Sequence, residues 1–90
     1  MPDAPRREII REHEFEEQLA RLIPDMAEAD EFVAGAEELL SWTPTVGNFE
    51  SEEFGIWSLH MAPIRNKQVT LYYSFEDGAV TFLSIVALDE

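Results

Sequence analysis

The sequence predicts an α+β domain in which a helical hairpin packs on one face of an antiparallel sheet. Three observations carry that expectation. Between Ile56 and Leu88, three apolar runs are separated by turn chemistry, the pattern of a β-meander. Within it, Lys67 to Phe75 alternates: Val69, Leu71, Tyr73 and Phe75 point one way, and Gln68, Thr70, Tyr72 and Ser74 the other. Upstream, Phe15, Leu19, Leu22 and Ile23 recur at i, i+4, i+7 and i+8, the stripe of an amphipathic helix.

In chain order, Met1 to Pro5 reads as a frayed end and Arg6 to Glu12 as a short strand centred on Ile9 and Ile10, placed at the edge of the sheet. Glu14, Glu16 and Glu17 suit the positive N-terminal end of the first helix, and Pro24 closes it. Asp25 then caps a second helix, with Glu28 three residues on as a variant capping box. Met26, Ala29, Val33, Ala36 and Leu40 form its apolar face, widened by Phe32 and Leu39, and Thr43-Pro44 ends it. So tight a connection predicts an antiparallel helical pair. Thr45 to Gly55 reads as an exposed loop. In the meander, Trp57, Leu59 and Met61 take the buried side and Ile56, Ser58 and His60 the open one. Asp77-Gly78 is expected to supply the positive φ values of a two-residue turn. That register sets Phe75 opposite Val80, Tyr73 opposite Phe82, Leu71 opposite Ser84 and Val69 opposite Val86. The order is therefore β-α-α-β-β-β.

The 90 residues are expected to make one domain (1–90) with a single core. There is no cysteine, which excludes disulfides and thiolate chemistry, and no apolar run of membrane-spanning length. With no signal-peptide core at the N-terminus, a cytoplasmic location is expected. The charge balance is the strongest anomaly: 19 acids against 6 basic residues give −13. Such a field repels phosphates, so a general nucleic-acid binder is disfavoured. A solvated acidic surface or a face for a basic partner both fit.

Phe15-Glu16-Glu17-Gln18-Leu19 opening the helices, Ile56-Trp57-Ser58-Leu59-His60 on one strand and Val69-Thr70-Leu71-Tyr72-Tyr73 on the next, in this order of elements, resemble the RelE/ParE superfamily of type II toxin–antitoxin toxins. The resemblance covers nearly the whole chain and implies a RelE/ParE-like fold, an antitoxin as protein partner and no cofactor. Ribonuclease members of the family cut messenger RNA on the ribosome with basic side chains on the open sheet face, which stabilise developing negative charge. Other members bind and poison DNA gyrase. Here Ile56, Ser58 and His60, and also Thr70, stand where the family often has basic residues, and the chain closes Leu88-Asp89-Glu90 where further cations are usual. Most of the catalytic cations are therefore missing.

His60, Arg65 and Lys67 are the candidates for a surviving catalytic site: His60 offers an imidazole as acid or base, and Arg65 and Lys67 flank Asn66 as the one cationic pair of the C-terminal two-thirds. Against this, His60 on a half-solvated sheet and a charged pair in an exposed turn are ordinary features. Ser58, Thr70, Tyr72 and Ser74 are the candidate partner-binding residues, with Tyr72 as an aromatic anchor. Arg6, Arg7 and Arg11 form a second basic group, diluted by Glu8 and Glu12. His13 and Glu17 lie four apart on one helical face, but a zinc helix needs a second histidine that the chain lacks, and no metal is expected. Trp42 and Trp57 read as core or rim aromatics. The expected function is that of a toxin-type component neutralised by a partner; the alternative is a non-catalytic protein-interaction module on the same fold.

Overall fold

The computed structural model describes residues 6–89, so the frayed end expected at 1–5 lies outside them. Strand β1 (Glu8–Arg11) leads into helix α1 (His13–Leu22), then helix α2 (Met26–Trp42) and a 3-10 turn (Pro44–Val46). Strands β2 (Asn48–Ser51), β3 (Ile56–Ile64), β4 (Lys67–Glu76) and β5 (Ala79–Asp89) complete the chain. The sheet order is β1-β5-β4-β3-β2, with β1 parallel to β5 at one edge and the other pairs antiparallel. The expected loop from Thr45 to Gly55 thus holds a strand of its own. Phe49 pairs with Trp57, and their rings meet at 5.1 Å, so an aromatic cross-strand contact holds a stretch that its glycines and acids had marked as irregular.

The helices begin and end where the local chemistry directs. The Asp25 carboxylate accepts the Glu28 backbone N–H at 3.0 Å, which satisfies one of the free donors of the first turn of α2. Met26, expected on the buried face, is 81% exposed, because the core begins one turn later at Ala29. Phe15 and Leu19 of α1 join Val33, Ala36 and Leu40 of α2 over Val69, Leu71, Tyr73, Val80, Phe82 and Ile85 of the sheet. The Phe15 and Phe82 rings meet edge-on at 5.3 Å.

Beyond Arg11, β1 no longer covers the edge of β5, and α1 does so instead. Gln18 Oε1 accepts the Ile85 backbone N–H at 2.8 Å and the Ser84 hydroxyl at 3.0 Å, so a side chain replaces the missing strand partner. The register of β4 with β5 departs from expectation beyond Tyr73. A bulge inserts Leu83, so Tyr72 pairs with Ser84, Leu71 with Ile85 and Val69 with Ala87. Without it Ser84 would enter the core opposite Leu71; with it, buried Ile85 takes that place.

The turns also differ. Asp77-Gly78 connects the paired residues Glu76 and Ala79, yet neither has a positive φ. Positive φ falls instead on Arg65 (50°) and Asn66 (66°), between the paired residues Ile64 and Lys67. The Leu83 bulge supplies extra right-handed twist to the β4–β5 pair, which relieves its turn of that task. The β3–β4 turn has no glycine to take the left-handed positions, so Arg65 and Asn66 occupy them at some cost.

Candidate functional site

The face of the sheet turned away from the helices gathers the polar candidates. Cross-strand pairing sets His60 beside Thr70, Ser58 beside Tyr72, Tyr72 beside Ser84 and Ser74 beside Thr81. Ser58, Thr70, Tyr72, Ser74 and His60 therefore share one face, because each has the strand parity opposite to Leu59, Leu71 and Tyr73. Thr70 Oγ1 lies 3.4 Å from His60 Nδ1, and the His60 ring is exposed.

Glu50 of β2 completes the cluster. Its carboxylate accepts the Ser58 hydroxyl at 2.6 Å, and Ser58, 1% exposed, is sealed by this contact on a face that is otherwise half-open. The sequence pattern alone places Glu50 in an exposed loop and Ser84 in the core. The signal for Glu50 was Asn48-Phe49-Glu50-Ser51, one apolar residue among polar ones just before the Gly55 turn; for Ser84 there was none, because a bulge has no fixed sequence mark.

The cations lie elsewhere. Arg65 sits at the tip of the β3–β4 turn, and Lys67 has the parity of Val69 and Leu71, so neither joins His60 on the open face. The Arg6, Arg7 and Arg11 group is not a patch at all. Arg6 reaches Glu38 at 2.6 Å and the Ser41 hydroxyl at 3.0 Å. Arg7 lies over the Phe75 ring at 5.8 Å and donates to the Glu76 carbonyl at 3.1 Å. Arg11 bridges β1 to α2 through Asp30 at 3.1 Å and Glu37 at 3.0 Å. Partial burial opposes the Arg11 charge, but the two carboxylates outweigh it and its pKa lies above the ordinary value. Arg21 pairs with Glu17 along α1 at 3.6 Å, and His13 Nε2 lies 2.6 Å from the same Glu17 carboxylate. Four of the six cations thus tie the protein to itself on the helix side.

The opposite face of the same strands is closed around Tyr73. Its hydroxyl, fully buried, donates to the Pro44 carbonyl at 2.6 Å. Burial pushes its pKa up from 10.0, opposed by the adjacent Gly47 backbone. Gly47 must be glycine for that approach, because a Cβ there would lie 2.3 Å from the Ser58 carbonyl oxygen and 2.4 Å from the Tyr73 hydroxyl. Trp57, between Phe49 and Phe75, extends this side as a half-buried rim, while Trp42 is half exposed with its indole N–H on Glu38.

Chemically, the open face offers hydroxyls, the His60 imidazole and the Glu50 carboxylate, with Gln68 and Glu76 of the same parity toward the ends of β4. It presents hydrogen-bond donors and acceptors to an incoming chain, but among the described residues no arginine or lysine to a phosphate, and Glu50 opposes negative charge there.

No family model matches the chain, and no curated protein matches it. Among solved structures, it is similar to a chain in the crystal structure of the toxin–antitoxin complex RelBE2 from Mycobacterium tuberculosis. The TM-score is 0.69 and the identity 20%, with 94% of each chain covered. This likeness establishes a RelE-like α+β fold. No helix among the described residues is long and apolar enough to cross a membrane.

Proposed function

We propose that this protein is the toxin-type component of a toxin–antitoxin pair, that a protein antitoxin neutralises it, and that it acts by binding its target instead of cutting messenger RNA. The observation that carries the first part is the near-complete overlap of fold with a chain of a toxin–antitoxin complex. The last part is supported by where the cations lie: Arg6, Arg7, Arg11 and Arg21 are engaged on the helix side, and Arg65 and Lys67 stand apart from His60. Phosphoryl-transfer chemistry needs positive charge where negative charge develops. Ser58, Thr70, Tyr72 and Ser74 form the binding face, with Tyr72 as its aromatic anchor. Gyrase or the ribosome as a bound target follows from the family resemblance.

Induced expression tests this reading. Growth arrest that is relieved by co-expressing the small protein that co-purifies with the native chain supports it. Normal growth overturns it, and normal growth with a stable partner means an interaction module on the same fold.

A further inference from the structure

Strand β5 carries two side-chain patterns that compete for one face. The first, Val80, Phe82, Ser84, Val86 and Leu88, alternates without a break, and a straight ladder would set Ser84 opposite Leu71, Val86 opposite Val69 and Leu88 opposite Lys67. The second, Val80, Phe82, Ile85 and Ala87, needs the extra residue at Leu83, and the structure adopts it. It buries Ile85 but leaves Val86 opposite Thr70 on the open face and Leu88 63% exposed. Beyond Phe82, each pattern turns two apolar side chains toward the helices. Val86 with Leu88 carries more apolar carbon than Ile85 with Ala87, so hydrophobic burial does not by itself favour the bulge.

Gln18 supplies what separates them. Strand β1 ends at Arg11, paired with Phe82, and no strand among the described residues lines the outer edge of β5 beyond that point. In the gap, the Gln18 side-chain oxygen accepts the Ser84 hydroxyl at 3.0 Å and the Ile85 N–H at 2.8 Å. Both donors reach it together only in the bulged ladder. The Phe82 carbonyl already faces outward to the Glu12 N–H, so in a straight ladder Ser84 would present its own N–H to Gln18 and turn its side chain into the core. Its hydroxyl would then lie opposite Leu71 without the Gln18 acceptor, a loss for a buried polar group. One side chain of α1 thus sets the balance between the registers, and Phe15 and Leu19 on either side of it hold α1 in the core.

We propose that β5 beyond Phe82 is a two-register strand and that Gln18 is the latch that holds it in the bulged register, so that the position of α1 sets what the open face displays. With the latch closed, Tyr72, Thr70 and Gln68 stand opposite Ser84, Val86 and Leu88. With it open, the strand moves by one residue and they stand opposite Leu83, Ile85 and Ala87. A leucine then replaces the hydroxyl beside Tyr72. A ligand that prefers one of these faces shifts the register and, through Gln18, is coupled to α1. The device regulates the binding face proposed above and rests on that reading only for what the ligand is; the two registers belong to the chain itself.

The test reads the register from cross-strand α-proton contacts in NMR spectra of the isotope-labelled full chain. Leu71 and Ile85 form a non-hydrogen-bonded pair, since the Ile85 N–H points away to Gln18, and the α-protons of such a pair lie close together. The native sequence shows Leu71 with Ile85 and Val69 with Ala87. Ser84→Val, which removes the hydroxyl and suits position 84 to the core, turns the ladder over, so that Leu71 meets residue 84 and Val69 meets Val86. Gln18→Leu opens the latch without altering β5 and gives residues 83–89 a second set of amide peaks, roughly a tenth or more of the total. Deleting Leu83 leaves a straight ladder that already turns Ile85 and Ala87 toward the helices, so Gln18→Leu in that background shows a single set. A Leu71–Ile85 contact that persists in Ser84→Val, a single set of peaks in folded Gln18→Leu, or a second set that survives the deletion each overturns the proposal. If Gln18→Leu does not fold, Ser84→Val decides, because it leaves Gln18 in place. Growth arrest with one fixed register overturns this inference and leaves the toxin reading standing; two registers without growth arrest do the reverse.

Discussion

Tyr72 and Tyr73 are neighbours on one strand and belong to different environments. Tyr73 is fully buried beneath the 3-10 turn, with its hydroxyl spent on the Pro44 carbonyl and its ring in the core with Leu71 and Phe82. Tyr72, on the other face, is half-buried between Ser58 and Ser84 with no helix above it. The same residue type is a structural keystone on one side and an accessible contact on the other, and the difference comes from what covers it. The charges follow the same division: on the helix side Arg6, Arg7 and Arg11 clamp the N-terminal strand region to α2 and β4, while Glu50 and His60 stand on the open face with Tyr72.

The comparison breaks most visibly at the tyrosines. Tyr73→Ala is expected to cost about 3–5 kcal/mol, as a truncated core aromatic. Tyr72→Ala should cost about 1 kcal/mol or less, as a partly solvated side chain. Chemical denaturation of both variants checks this, and equal losses would mean that the two faces are misassigned.

That division was legible in the sequence wherever alternation was regular. Val69 to Phe75 gave β4 and both of its faces, and Asp25 with Glu28 gave the start of α2. It failed where backbone geometry departs from regular pairing. The Leu83 bulge moved Ser84 to the open face and Ile85 to the core, and sequence alternation alone does not mark an inserted residue. The positive-φ turn fell on Arg65-Asn66 instead of Asp77-Gly78, since twist is set by the whole ladder and not by the turn residues alone. Of the site, the shared face of Ser58, His60, Thr70, Tyr72 and Ser74 was legible; Glu50 was not, because β2 is held by the Phe49–Trp57 contact, which is visible only once β3 is in place.

Gly47 tests the seal between the two faces. Gly47→Ala should destabilise by about 1–3 kcal/mol, at the upper end because the obstructing Ser58 carbonyl is backbone and cannot rotate away. The unfolding midpoint reads this directly. A cost near zero would show that the 3-10 turn is free to shift and that Tyr73 is not tightly held.

Removing only the buried hydroxyl is a finer probe. Tyr73→Phe should lose about 1 kcal/mol at neutral pH, through the bond to Pro44. It should also change the alkaline limb. Because folding raises the Tyr73 pKa, both states keep the proton below 10.0; above it the unfolded chain releases its proton first, and stability falls with rising pH toward the folded value. Denaturation between neutral and strongly alkaline pH should therefore show a decline in the native sequence that is reduced in Tyr73→Phe. A parallel decline in both would place its cause elsewhere.

The smallest expected change is a gain. Arg65→Asn with Asn66→Gly puts residues suited to positive φ at both turn positions and should raise stability by roughly 1 kcal/mol. Thermal unfolding detects it; a loss would mean that the Arg65 or Asn66 side chain supports the hairpin by a contact of its own.

The open face as a binding surface without phosphoryl-transfer chemistry is tested most directly in a translating extract, by adding the purified protein and mapping the ends of the messenger RNA. The account predicts intact message. Cleavage of ribosome-bound message that is abolished by His60→Ala, or by Arg65→Ala with Lys67→Ala, would contradict it and make the open face a ribonuclease site.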